Sequence, residues 1–340
     1  MGKREDMIAA LERRTPAGAV PIWELEFQAW DAASGRHVIL GHEFEALPAA
    51  SQEAAMHANA EIMVAVSADM EYAALTTPNV YWEKAPGQLA YYCMPGDTRF
   101  RQAAILREMA PPDLVLAAIS GGVLWADYSP EFCYRLVDDP EGIDEMARAF
   151  LRSGIEAAKR LRDSGVEVVV TPSDMADNSG PFFNPEQMRR WILPYLAEWA
   201  TAARNMGMHS VLHTDGDLTR CMDALASTGV DAIQAIDPVA GMDMRRTKDA
   251  VGRRLCLCGN IDCGLLFRGQ PEDVYQSTRN LLTTCKADGG LVLGASNAVQ
   301  PEVPMENYRA MIRAWRDSGR YEANRSPGLN VSSRKTERDR

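Results

Sequence analysis

The fold class is decided by residues 166–174, which read Val-Glu-Val-Val-Val-Thr-Pro-Ser-Asp. This nearly continuous apolar run is typical of a parallel strand buried on both faces. Similar runs, each followed by a turn and then a helical stretch, give eight strand–helix units in all. The eight predicted strands are 19–25, 70–76, 113–121, 166–174, 209–215, 232–237, 255–262 and 290–297. Eight such units predict an α/β protein with a (β/α)8 TIM-barrel fold and an active site at the carboxyl ends of the strands.

A doubly wound sheet is the competing layout. It would usually carry a glycine-rich phosphate loop, and the sequence has no G-x-G-x-x-G or Walker motif after the first predicted strand. We therefore expect one barrel domain over residues 1–321, with an excursion near 81–107 that resembles an extra hairpin. Residues 322–340 form a polar tail that is predicted to be disordered.

Composition narrows the function classes. The chain has 340 residues and a net charge of −11, which argues against binding to nucleic acid or to an anionic membrane. It has no apolar run long enough for a transmembrane helix, and its first residues lack the pattern of a signal peptide. The odd number of cysteines, seven, indicates reduced thiols. These features predict a cytoplasmic protein.

Polar residues that follow the strands of a barrel share one mouth, so they are the candidates for chemistry. His213 precedes Asp215 by two positions, which places both side chains on one side of the chain. The pair is predicted to ligate zinc, and His213 also to act as acid or base; the alternative is a purely structural hydrogen-bonded pair. Asp174, Asp177 and Asp237 are further candidate acid–base groups.

Two thiols extend the predicted metal site. Cys258 and Cys263 flank the end of the seventh predicted strand and are candidate zinc ligands beside His213. Their spacing matches no established zinc motif, so packing of small buried side chains is the alternative.

A second group of residues is predicted to bind substrate. Glu24 and Glu26 share one face of the first predicted strand, and a carboxylate inside a barrel must be paired, neutral or metal-bound. The alternative is that one of them pairs with an arginine in the helix layer. Aromatic residues near the mouth supply a candidate wall, although some of them are expected to be ordinary core. The predicted substrate-binding residues are Trp23, Glu24, Glu26, Phe27, Trp82, Asn260, Ser296 and Asn297.

Three segments carry a family resemblance. They are Leu-His-Thr-Asp-Gly at 212–216, Gly-Asn-Ile-Asp at 259–262 and Gly-Gly-Leu-Val-Leu-Gly at 289–294. In this order they resemble the uroporphyrinogen decarboxylase superfamily, and more closely its corrinoid-dependent methyltransferase branch. The resemblance covers roughly residues 3–321. It implies a barrel that moves a methyl group between a methylated substrate or coenzyme M and cobalamin held on a partner protein.

Departures from the family motifs separate the possible reactions. Porphyrinogen decarboxylases carry an arginine-rich R-Q-A-G-R-Y loop after strand one, whereas this chain has Glu-Leu-Glu-Phe-Gln-Ala-Trp at 24–30. A carboxylate-rich rim would repel a polycarboxylated porphyrinogen. The H-x-C zinc motif of the coenzyme M enzymes is His213-Thr214-Asp215 here, and the distant thiol position falls near Ser296 and Asn297. An oxygen-rich site is a harder Lewis acid, which favours an ether oxygen over a thiolate.

The sequence thus predicts a zinc-assisted, O-demethylase-like methyltransferase. Its methyl donor is a small methylated molecule, with a methoxylated aromatic as one candidate, and its acceptor is the cobalamin of a corrinoid protein. Outer helices such as 141–164 are candidates for a homodimer interface. Two alternatives stay open: a metal-free decarboxylase or lyase that uses Asp174, Asp177 and His213 as acid–base groups, and a non-catalytic binder of a corrinoid or tetrapyrrole.

Overall fold

The computed structural model describes residues 2–80, 83–85, 88–89 and 93–321. Its helices are α1 (Lys3–Leu11), α2 (Trp30–Ser34), α3 (Gly41–Glu45), α4 (Ala49–Asp69), α5 (Thr98–Met109), α6 (Pro130–Asp138), α7 (Pro140–Asp163), α8 (Pro185–Gln187), α9 (Leu193–Asn205), α10 (Met222–Ala226), α11 (Met244–Val251), α12 (Cys263–Arg268), α13 (Pro271–Cys285) and α14 (Met305–Ser318). A π-helical turn, Met188–Ile192, joins α8 to α9. Along these described ranges, no helix combines the length and apolar character needed to cross a membrane.

The strands are short. They are β1 (Ala74–Thr76), β2 (Asn79–Val80), β3 (Glu83–Ala85), β4 (Gln88–Leu89), β5 (Cys93–Met94), β6 (Val115–Ile119), β7 (Val168–Pro172), β8 (Ala176–Asp177), β9 (Gly180–Pro181), β10 (His209–His213), β11 (Ala232–Gln234), β12 (Cys256–Cys258) and β13 (Leu291–Val292). The main sheet is parallel throughout and has the order β1-β6-β7-β10-β11-β12-β13. Each neighbour along the sheet is the next of these strands in sequence, as in a barrel.

The structure differs in one detail from the prediction of a strand at 19–25. These residues form no ladder, because Pro21 lacks the N–H that a ladder would need. The segment still bonds to both edges of the sheet: the backbone nitrogen of Trp23 donates to Leu293 O (3.0 Å), and that of Ala73 donates to Ile22 O (2.9 Å). A Cβ atom on Gly294 would clash with the carbonyl oxygen of Trp23, so glycine permits this approach. Eight extended segments therefore close the sheet, and the predicted TIM-barrel fold is confirmed.

Side chains on both faces of the strands are buried. Val168 and Val170 belong to an inner cluster with residues of the other strands and of α1, whereas Val169 packs in the larger cluster with the helices. This alternation explains why residues 168–170 are apolar without interruption. Polar side chains are left to the strand ends, where the chain turns toward the helices.

Between β1 and α5 the chain makes two small sheets. β2 pairs with β5 in parallel, and β3 pairs with β4 in antiparallel orientation. Trp82, predicted to bind substrate, and the predicted tail at 322–340 lie outside the described residues. The domain limits given above stay a prediction.

Candidate active site

His213 is the last residue of β10, and Gln234 lies beside it in the register with β11. The amide nitrogen of Gln234 donates to the carbonyl oxygens of Ala295 and Ser296, each at 3.2 Å. Carbonyl oxygens only accept, so these bonds fix the amide and leave its Oε1 atom 2.5 Å from Nδ1 of His213. Nδ1 therefore carries a proton, and Nε2 is the ring nitrogen that is left to face the barrel mouth.

Nε2 of His213 faces two carboxylates. It lies 3.7 Å from Oδ1 of Asp174 and 4.0 Å from Oδ2 of Asp215. The three ligand atoms lie within 4.8 Å of one another, and no other group of three or more His, Cys, Asp or Glu residues with this geometry occurs in the described part of the chain. The histidine side chain is 7% exposed and that of Asp174 is 51% exposed, so the group is anchored in the barrel and open to solvent on one side.

Asp215 is held by its neighbours. Asn297 donates through Nδ2 to its Oδ2 atom at 2.5 Å, and the backbone nitrogen of Asp215 donates to Oδ1 of Asp174 at 3.1 Å. Burial raises the pKa of the Asp215 carboxyl to about 6, against a lowering influence of His213. Two further carboxylates, Asp174 and Asp237, add to that increase in pKa. The site therefore concentrates negative charge in a partly desolvated pocket.

The other predicted acid–base groups lie outside this triad of Asp174, His213 and Asp215. Asp237 accepts hydrogen bonds from the backbone nitrogens of Gly216 (3.3 Å) and Val239 (2.9 Å), and it lines a cavity together with Asp215. Asp177 is exposed in the β8–β9 pair, where its carboxylate accepts from the backbone nitrogen of Ser179 at 2.6 Å. The structure thus places Asp237 in the same cavity lining as Asp215, and it leaves Asp177 exposed.

Neither predicted thiol ligand belongs to the triad. Cys258 is completely buried in the inner cluster, and burial beside Cys256 raises the pKa of its thiol well above the usual range. Cys263 begins α12 and lies in the same cavity as Asp215, with its sulfur 3.6 Å from the Ser296 hydroxyl. Burial raises the pKa of Cys263 to about 11. Zinc ligation by these two thiols stays a prediction.

Glu24 is buried below the mouth, with 3% of its surface exposed. Its Oε2 atom accepts from the backbone nitrogen of Ala295 (2.8 Å), and its Oε1 atom accepts from the hydroxyl of Tyr308 (2.8 Å). The Tyr308 hydroxyl is in turn 2.6 Å from that of Tyr72. Desolvation raises the pKa of Glu24 to about 8, so the carboxyl is neutral at pH 7. This arrangement supports the loop that carries Asn297.

The remaining predicted substrate residues are placed as follows. The Trp23 ring is buried and donates through Nε1 to the Thr76 hydroxyl at 2.8 Å, and Phe27 packs in the core against Trp30 and Tyr308. Both rings are almost completely covered and leave little surface for a substrate. Substrate binding by them stays a prediction.

Three polar predictions lie nearer to the barrel rim. Glu26 accepts from the side chain of Gln28 at 3.0 Å. Asn260 donates to the Ile236 carbonyl at 2.8 Å, which ties the loop after β12 to the loop after β11. Ser296 lines the cavity that holds Asp215 and Cys263.

Two cavities adjoin the triad. One, of about 600 Å3, is lined by Asp215, Asp237 and Asn297. The other, of about 730 Å3, is lined by Asp174 together with Arg99 and Trp125. Both volumes are in the range of small-molecule sites.

Sequence reasoning missed Gln234, Arg99 and Trp125. Gln234 had a usable signal, since it is a polar residue within the apolar run 232–236. Arg99 lies on a helix whose pattern gives no sign that it reaches the mouth.

The sequence matches the family model "Uroporphyrinogen decarboxylase (URO-D)" over residues 85–318. A methylated-thiol–coenzyme M methyltransferase of Methanosarcina mazei is 25% identical over 191 residues, which are 52% of this chain and 49% of that protein. A uroporphyrinogen decarboxylase of Cellvibrio japonicus is 27% identical over 195 residues (55% and 49%). A methylcobamide:CoM methyltransferase of Methanosarcina acetivorans is 26% identical over 156 residues (46% and 43%).

The chain spans about half the length, or less, of these curated relatives. A solved methyltransferase structure from Methanosarcina mazei has a TM-score of 0.67 at 16% identity and covers 93% of this chain and 99% of its own. That likeness agrees with the barrel fold. Since the family model matches more than half of the residues, from 85 to 318, the chain belongs to the uroporphyrinogen decarboxylase family.

Proposed function

We propose that this chain is a methyltransferase that moves a methyl group from a small methylated substrate to the cobalamin of a corrinoid protein, with a divalent metal ion held by Asp174, His213 and Asp215. The observation that carries the proposal is the position of His213, whose Nε2 atom lies within 4.0 Å of two carboxylates while its Nδ1 atom contacts Gln234. The methyltransferase names among the relatives support the reaction class.

The donor set fits a divalent cation. Nε2 of His213 and the two carboxylate oxygens lie within 4.8 Å of one another, and a cation bound among them would offset the repulsion between the two negative charges. One nitrogen and two oxygens are a ligand set that zinc accepts in catalytic sites. A metal bound here would supply Lewis acidity to the heteroatom that loses the methyl group.

The chain's own residues orient this site. Gln234 holds the His213 ring through Nδ1, as hydrogen-bond acceptors behind metal-binding histidines commonly do. Asn297 fixes one oxygen of Asp215. Asp237, in the adjoining cavity, is the proposed acid–base group that passes a proton from solvent to the demethylated heteroatom. The exposed side of Asp174 leaves an approach for a partner protein.

The second candidate function is an acid–base decarboxylase or lyase. It is favoured by the uroporphyrinogen decarboxylase relative and by the raised pKa of Asp215, which places a carboxyl near its working range at neutral pH. In that reading the same triad exchanges protons without a metal ion.

Metal analysis of the purified protein tests the proposal. The described residues form one three-ligand group. We therefore expect about one equivalent of metal per chain in wild-type protein that is purified without chelators. His213→Ala should lose it, and Gln234→Leu should weaken metal affinity roughly 10- to 100-fold, because the ring loses the hydrogen bond at Nδ1 that orients it. His57→Ala, an exposed histidine on α4, is the matched control and should keep the metal.

Activity is then followed with a corrinoid protein. Methylation of reduced cobalamin from a methylated donor, lost in His213→Ala and kept in His57→Ala, would support methyl transfer. A metal-free wild type that releases carbon dioxide from a carboxylated substrate would overturn the proposal in favour of the decarboxylase.

A further inference from the structure

The cavity beside Asp174 lies between the top of the barrel and α7. Gly121 and Gly122, just after β6, form part of its wall, and Phe150 of α7 faces them. A Cβ atom on Gly154 would clash with the backbone of Gly122, so α7 approaches the barrel closely here. The backbone after β6 and one side of α7 therefore form part of the cavity wall.

The two charged residues of this cavity lie on opposite sides of β6. Asp174 follows β7, one neighbour of β6 in the sheet. Arg99 of α5 donates through Nη1 to the carbonyl oxygen of Ile119, at the end of β6, at 2.8 Å. Its Nη1 atom is also 3.5 Å from Oδ1 of Asn79, which follows β1, the other neighbour. A molecule that spans the cavity would therefore meet the triad at one side and a guanidinium at the other.

Arg99 is a buried cation for which the side chains that the structure describes provide no carboxylate within ion-pair distance. The residue is 9% exposed, and in the described part of the chain no Asp or Glu forms an ion pair with it. The neighbouring Arg160 differs, because its guanidinium is paired with Asp97 at 2.8 Å. A buried charge is unfavourable unless an opposite charge offsets it. The open side of Arg99 faces the cavity.

The middle of the cavity suits a flat apolar body. Trp125 and Phe150 pack with ring centroids 4.6 Å apart, and Trp125 remains 45% exposed. Aromatic walls of this kind bind planar ligands through ring contacts. Gly121 and Gly122, which also line the cavity, add no side chain that would limit the thickness of a bound ring.

We propose that this cavity binds the methyl donor, and that the donor is a small planar molecule with one anionic group, such as a carboxylate, bound by Arg99. Its methylated heteroatom then lies toward Asp174, His213 and Asp215. The identity of the ligand as a methyl donor rests on the proposed function, whereas recognition of the anionic group does not.

Calorimetric binding to the full chain, without a corrinoid protein, tests the assignment. The probes are 4-methoxybenzoate and the nearly isosteric, neutral 4-methoxybenzamide. A charge-assisted hydrogen bond predicts that the wild type prefers the carboxylate by roughly 10- to 100-fold. Arg99→Gln should reduce this preference to near unity, and Arg99→Lys should keep part of it. Arg160→Gln removes a nearby arginine that does not line the cavity, so the preference should persist.

Circular dichroism and the melting temperature establish that each variant is folded. A wild type that does not distinguish the two probes, or a folded Arg99→Gln variant that keeps the full preference, would overturn the assignment. His213→Ala should still prefer the carboxylate. A failure to detect methyl transfer would therefore not overturn the assignment of the anion site at Arg99. A missing carboxylate preference would not overturn the proposed methyltransferase function.

Discussion

At the scale of single residues, the geometry of the proposed metal site depends on side chains that would touch neither the metal ion nor the substrate. Gln234 is buried and its amide makes three hydrogen bonds, two from its nitrogen to backbone carbonyls and one from its oxygen to His213. Its orientation is set by acceptors that cannot change, so it imposes one tautomer on the histidine. The proposed metal site thus rests on an amide that the ion itself would not touch.

Glu24 predicts a pH dependence of stability. Its pKa is about 8 in the folded protein and about 4.5 ordinarily, so the folded form keeps a proton that the unfolded form releases between these values. The stabilisation is complete below about pH 4.5 and is lost as the pH rises through 8. Between pH 5.5 and 7.5 the wild type should lose roughly 1 kcal/mol per pH unit relative to Glu24→Gln.

Urea unfolding at several pH values measures this difference. Glu61→Gln, which changes an exposed glutamate on α4, is the matched control and should leave the pH slope as in the wild type. Equal slopes for the wild type and Glu24→Gln would mean that the buried carboxyl is charged in the folded protein.

At the scale of elements, strands end earlier than the apolar pattern predicts. The run 290–297 contains a strand only at Leu291–Val292, and the run 255–262 contains one only at Cys256–Cys258. The remaining residues form loops at the mouth that are also buried, and hydrophobicity does not distinguish a buried strand from a buried loop. The apolar pattern therefore predicted the eight units correctly, but it did not predict the residue at which each strand ends and the loop of the site begins.

The same limit explains which site residues could be predicted. His213 and Asp215 were predictable because they follow a strand, and strand ends meet at the barrel mouth. Arg99 reaches the cavity from α5, and its exposure depends on how that helix packs, which a single sequence does not encode locally. Cys258 followed the strand-end rule but faces the inner cluster, where thiols serve as small apolar side chains.

The contact of α7 with the barrel gives a second prediction. Replacing glycine by alanine inside a helix normally stabilises by about 0.5–1 kcal/mol. At Gly154 the added methyl group would clash with the backbone of Gly122, so Gly154→Ala should instead destabilise by about 1–3 kcal/mol. Denaturant unfolding measures whether the free energy of unfolding rises or falls in Gly154→Ala. Ser153→Ala, at the exposed neighbouring position, should change the free energy of unfolding by less than about 0.5 kcal/mol. A stabilised Gly154→Ala variant would mean that α7 shifts freely at this point.

At the scale of the whole molecule, the barrel closes through a segment with few backbone bonds. The amides of Trp23 and Ala73 bond across this closure, yet the side chains of Ile22 and Trp23 are buried in the core. Opening the closure would expose that core, so we expect it to unfold only together with the rest of the barrel.

Hydrogen exchange of the native protein tests this cooperativity. The amides of Trp23 and Ala73 should exchange with free energies within about 1 kcal/mol of those in the central strands β7 and β10. Amides of the exposed 177–179 turn supply the fast-exchanging reference. Exchange at the closure that is far faster than in β7 would show that the barrel opens there independently.

The bond between Tyr308 and Glu24 joins residues 284 positions apart, and it has a consequence during synthesis. Residues 19–25 leave the ribosome long before their partners at 291–293 and in α14. Until then the sheet has an open edge, and Ile22 and Trp23 have no core to enter. Contacts this distant slow folding and prolong the exposure of apolar surface. Residues 19–25 of the nascent chain therefore stay without these partners until α14 has been synthesised.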